Sequence, residues 1–203
     1  HSVMCQAMSN DVIEPGVTTT ADVTNGELID LFHTWIQNRR IDDHLLFDVA
    51  DYSHVKNGPG VLLVTHEAYF GWDEGGGRPG VLYRGRRGAP SAAIPAMTAA
   101  LENALKMATF LEQDLGAKVA FDATEVFVGA DDRLLVPNND KTLDSLRADL
   151  STLAARVFGV STDEVHVDRG PDPKACSRAH LHGPAPLTAT EALRRLARQH
   201  ELA

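Results

Sequence analysis

The chain has 203 residues and carries 19 Lys+Arg against 28 Asp+Glu, a formal charge of −9 at pH 7 with histidine neutral. Its 43% hydrophobic and 23% charged residues supply a packed core without metal or disulfide staples and argue against wholesale disorder. The acidic balance disfavours nucleic-acid and anionic-membrane partners, and no apolar run approaches the roughly 20 residues of a membrane-spanning helix.

Residues 1–7 read as an expression-derived leader ahead of a natural start at Met8, residues 9–23 as a polar, Thr-rich extended stretch, and residues 1–23 together as an N-terminal arm. Thr24-x-x-Glu27 is a capping box, in which the threonine hydroxyl and the glutamate carboxylate satisfy orphan amides at a helix start. Leu28, Ile29, Leu31, Phe32, Trp35 and Ile36 then form an apolar stripe at helical spacing that runs to Arg39-Arg40. Leu45–Ala50 is a strand candidate, Asn57-Gly58-Pro59-Gly60 is turn chemistry, and Val61–Thr65 is a continuous apolar run suited to a buried strand. Glu74–Gly80 is a glycine-rich loop leading into Val81–Arg84, and the runs at 61–65 and 81–84 are expected to pair antiparallel.

Ser91 opens a long helix with Ile94, Met97, Leu101, Leu105, Ala108 and Leu111 on one face, stopped by Gly116. Val119–Val128 and Leu134–Val136 bracket a polar turn and predict a hairpin. Asp140 is read as the cap of a helix ending at Gly159, Val165–Val167 as a short strand, and Gly170–Pro186 as a Pro-rich loop. Thr188-x-x-Glu191 opens the last helix. Two hairpin-then-helix units result. The expected fold is a single α+β domain over residues 24–203: an antiparallel or mixed sheet with helices packed mainly on one face.

Nine histidines against two cysteines is a high imidazole load. Two thiols make no disulfide framework, which points to a reducing cytoplasm. Discounting His1, His33, His44 and His200, which have bland explanations, leaves five histidines in two regions. In the first, Asp51 and His54 precede the Asn-Gly-Pro-Gly turn, and His66-Glu67 follows the next strand. If the chain doubles back there, His54 and His66 meet at the sheet edge as ligand-binding groups, with Asp51 or Glu67 as base. Asp51 and Ser53 equally suit ordinary turn hydrogen bonds.

In the second, Cys176-Ser177-Arg178-Ala179-His180-Leu181-His182 places two imidazoles on one side of an extended segment, with a thiolate nearby. That donor set suits zinc or another divalent transition metal, with His166 or Asp168 nearest in sequence as a further ligand. Arg84, Arg86 and Arg87 form the one compact basic cluster, able to receive a phosphate or carboxylate. The Gly75–Gly80 run is not a phosphate-binding loop, because a strand and not a helix follows it.

Three functional readings follow. The first is a soluble bacterial accessory protein that binds a small molecule or a metal ion. The second is a metal-dependent, hydrolase-like enzyme, and the third a module that assembles as a homodimer.

Overall fold

A computed structural model describes residues 3–9, 23–55, 59–73, 80–85, 93–130, 137–169 and 177–198. The apolar runs found in the sequence become the strands of one antiparallel sheet. In chain order they are β1 (Val3–Ser9), β2 (Leu46–Asp51), β3 (Val61–Thr65), β4 (Ala68–Asp73), β5 (Gly80–Gly85), β6 (Asp122–Ala130), β7 (His166–Arg169) and β8 (Ser177–His182). Their spatial order is β2-β3-β4-β5-β1-β6-β8-β7, so a four-stranded meander and a three-stranded group are joined through β1. Every ladder is antiparallel, and the sheet is not closed into a barrel.

The described residues also form four α-helices: α1 (Asn25–Asn38), α2 (Ala93–Leu115), α3 (Asp140–Phe158) and α4 (Ala189–Ala197). The core shows why they lie on one face. Val61 and Leu63 of β3, Phe70 and Trp72 of β4, Val126 and Val128 of β6 and Leu181 of β8 point into a single cluster. That cluster also holds Phe32 of α1, Leu101 and Leu105 of α2, Leu153 of α3 and Leu196 of α4. Alternate strand residues point to the opposite face, which carries no helix among the described residues. The expected α+β fold with one-sided helices is what forms.

The helix starts follow the local chemistry. Thr24 caps α1 reciprocally with Glu27, and Thr188 Oγ1 accepts the Glu191 amide at 3.3 Å to start α4. At α3 the cap is Asn139, whose Oδ1 accepts the Thr142 amide at 2.9 Å; Asp140 is the first helical residue and not the cap. Ser91 lies outside the described residues, and α2 is described from Ala93. The α1 cap also ties two elements together, because the Lys118 ammonium pairs with Glu27. Lys118 and the Thr24 amide and hydroxyl hold the Glu27 carboxyl down at about 2. A depressed carboxylate contributes stability above its unfolded value and loses it as the pH falls through the folded one. Denaturant midpoints of the wild type should therefore drop between about pH 4.5 and about pH 2 by more than those of Glu27→Gln. Equal drops in the two proteins in parallel acid titrations would refute this coupling.

Four expectations are corrected. The segments 61–65 and 81–84 are not neighbours, because Ala68–Asp73 forms β4 between them: Leu63 opposes Phe70, and Phe70 opposes Tyr83. The tight turn at His66-Glu67 conceals that strand, since Thr65 Oγ1 accepts the Ala68 amide at 2.8 Å and closes the hairpin in two residues. The hairpin expected after β6 cannot use β6, whose two edges are taken by β1 and β8; Leu134–Val136 lie outside the described residues. The Pro-rich segment 170–186 is not all loop, because Ser177–His182 is β8. Of the arm expected at 1–23, Val3–Ser9 is β1, paired with both β5 and β6 within the sheet, while residues 10–22 lie outside the described residues.

Among the described strands β2 ends the sheet, and it has apolar company. Leu45, Phe47, Tyr52 and Val55, on or beside it, are exposed large hydrophobic residues. No helix among the described residues is long and apolar enough to cross a membrane.

Candidate metal centre

The three strands β6, β8 and β7 place chemistry on the face of the sheet opposite the core. In the ladder between β6 and β8, Glu125 opposes His182 and Phe127 opposes His180. In the ladder between β8 and β7, His166 opposes His182 and Asp168 opposes His180. Directly opposed residues of an antiparallel pair point to the same side. The inward partners Val126, Val128, Ala179, Leu181 and Val167 anchor these strands in the core, so their polar alternates must face outward.

Side-chain geometry brings three of these residues together. The ligand atoms of Glu125, His180 and His182 all lie within 4.8 Å of one another, and all three residues are half-buried. His180 Nε2 and His182 Nδ1 each stand 3.6 Å from a Glu125 carboxylate oxygen. The other two ring nitrogens meet in a His182 Nε2···His180 Nδ1 hydrogen bond of 2.7 Å. Phe127 stacks on the His180 ring, with centroids 4.1 Å apart and planes 10° from parallel. That stacking fixes the imidazole plane and lowers the entropy lost when the ring engages a ligand. Two imidazoles and one carboxylate are a borderline donor set, matched to zinc and its late transition-metal neighbours.

The remaining sequence candidates fall elsewhere. His54 and His66 do not meet. β2 and β3 run antiparallel, so the His66 amide bonds to Leu45 O at one end, while His54 follows Asp51 and Tyr52 at the other. Five residues of extended chain put about 17 Å between the two ends. Nor do the two histidine regions converge, because β3 and β8 are five strand spacings apart, about 24 Å.

Asp51 serves the turn: it accepts the Ser53 amide at 2.9 Å, and the Ser53 hydroxyl and amide hold its carboxyl below the usual range. Glu67 sits beside His66 at 3.5 Å, both exposed, in the tight turn from β3 to β4. Arg84 is exposed on β5 opposite Tyr69. Arg86 and Cys176 lie outside the described residues.

Two residues escape a sequence reading. Glu125 becomes a candidate ligand only through the β6–β8 register; the one local signal is a carboxylate alternating with the inward Val126 and Val128. His44, which reads as a turn residue, is wedged beside the core. Its Nδ1 meets Asp43 Oδ1 at 2.9 Å, and its Nε2 meets the Tyr83 hydroxyl at 3.3 Å. Phe70 packs edge-on to the ring.

An ionised carboxylate only accepts, so Nδ1 carries the proton in that contact. Burial, reinforced by the Asp43 and Glu67 carboxylates, pushes the Tyr83 hydroxyl up to about 12, and that hydroxyl stands within hydrogen-bond distance of Nε2. Lys106 of α2 completes the chain by pairing with Asp43. The network fastens the corner between α1 and β2 onto α2.

The chain matches no known protein family and no curated protein.

Proposed function

We propose that this protein is a metal-binding accessory protein that holds a divalent transition-metal ion, zinc being the type, through Glu125, His180 and His182. The observation that carries this reading is the convergence of three ligand atoms within 4.8 Å on adjacent strands. Strand mounting supports it further, since a site built on a sheet varies less in geometry than one built on loops. Binding requires both imidazoles to be neutral, and it replaces the direct contact between them with two bonds to the ion. Because the folded chain assembles the three donors and the unfolded chain does not, the ion stabilises the native state by mass action.

Stoichiometric zinc added to metal-free protein should raise the thermal midpoint, with a gain of about 2.7 kcal/mol when free zinc reaches a hundred times the dissociation constant. His182→Ala and Glu125→Gln should each abolish most of that shift while melting normally without metal. Calorimetry that finds no zinc bound to the wild type would sink the reading. Three protein donors leave coordination positions for water, which also suits Lewis-acid hydrolysis. Turnover of an activated ester by the zinc-loaded protein, absent from His182→Ala, would favour that second reading.

A further inference from the structure

We propose that His166 supplies a third imidazole to the same ion, making a three-histidine, one-carboxylate centre spread over β6, β8 and β7. The inference rests on reading Glu125, His180 and His182 as a metal site, and it adds a residue from a third strand.

The register carries it. Glu125, His182 and His166 form one cross-strand row, with His182 in the middle. Directly opposed residues have Cβ atoms about 4.5–5.5 Å apart on the same face, within reach of two imidazoles binding one ion. His180, two residues from His182, opens the next row on that face. An ion above the middle strand therefore has His180 and His182 beneath it, Glu125 on one flank and His166 on the other.

Exposure and charge agree with this arrangement. The ligand atoms that already converge are those of Glu125, His180 and His182; His166 is exposed on the last described strand of the sheet, so its ring must turn to join them and leaves no packed position in doing so. Four donors of this kind satisfy the tetrahedral preference of zinc. Three neutral imidazoles and one carboxylate leave the ion with a residual charge of +1. Asp168 opposes His180 in the ladder, where a carboxylate balances that charge and can accept the second N–H of a ligating histidine.

The test uses the full chain with Zn²⁺ and Co²⁺ as probes. X-ray absorption of the zinc-loaded wild type should count three imidazoles per ion. Co²⁺ should give tetrahedral d–d bands without the near-ultraviolet charge-transfer band of a thiolate. In competition with a chromophoric chelator, His166→Ala should lose at least about tenfold in zinc affinity and fall to two imidazoles, with Asp168→Asn losing less.

Two imidazoles in the wild type, with unchanged affinity in His166→Ala, would overturn the proposal and leave the three-residue site standing. A thiolate band would overturn it in favour of Cys176. No ion bound to the wild type would remove both readings. The imidazole count in the wild type decides the matter even if a variant misfolds.

Discussion

Trp35→Ala is expected to cost about 3–5 kcal/mol of folding stability, read as a lowered urea midpoint. Trp35 is 2% exposed and, with Trp72, is among the largest buried side chains. Its ring lies between Phe32, with centroids 5.3 Å apart, and Phe110 of α2, edge-on at 6.1 Å. Alanine removes the whole indole from a site that neighbours cannot fill without moving α1 relative to α2.

A polar contribution can be separated from this packing loss. The indole Nε1–H donates to Asp114 Oδ2 at 2.8 Å, and the same oxygen accepts from Arg40 Nε at 3.1 Å. Arg40 also lies over the Phe110 ring at 4.2 Å. Trp35→Phe keeps most of the apolar contact and drops the indole donor, while Arg40 still satisfies Asp114. Its expected cost is therefore smaller, about 1–2 kcal/mol. Equal losses in the two variants would show that the hydrogen bond, and not the packed ring, docks α1 onto α2.

Gly60→Ala should cost about 3 kcal/mol or more, which is large for the addition of one methyl group. Gly60 adopts φ +69°, and a Cβ built there would stand 2.1 Å from the Trp72 carbonyl oxygen. The obstacle is backbone in the neighbouring strand, so no rotamer change relieves it. Gly60 O also accepts the Tyr52 amide at 2.8 Å, which closes the loop between β2 and β3. Relieving the clash must therefore disturb β2, β3 and β4 together.

Gly116 gives the comparison that isolates this effect. It has φ +61° but nothing within 4 Å of a built Cβ, so Gly116→Ala pays only the left-handed conformation, about 1–2 kcal/mol. Equal destabilisation of the two variants would refute the steric account of Gly60.

Local chemistry made the helices legible. Thr24 with Glu27, Thr188 with Glu191, and the stops near Gly116 and Gly159 act within a few residues of themselves, so their spacing is enough to place them. Asn139 displaced Asp140 as a cap because either side chain can accept an amide, and a one-residue choice lies below what pattern resolves. Strands were less legible. Val61–Thr65 stands out as five consecutive buried residues, whereas Ala68–Asp73 is broken by Gly71 and joined to it through a two-residue turn.

Pairing was not legible at all. The sequence brought His54 to His66 across a turn, but antiparallel geometry sends them to opposite ends of one hairpin. His180 and His182 could be seen as a pair because two residues of extended chain point the same way. Their partner Glu125 lies 55 positions earlier than His180 and is theirs only by register.

By itself, then, the sequence determined where the helices begin, which apolar runs build the core, the α+β class, and that two imidazoles share one face of a strand. These are short-range matters of capping, periodicity and alternation. The tertiary structure decided the strand order, the place of Val3–Ser9 at the sheet centre, the burial of His44 between Asp43 and Tyr83, and the meeting of Glu125 with His180 and His182. Each of those depends on which strands lie side by side, and strand neighbours are chosen by the packing of the whole core, which no local pattern encodes.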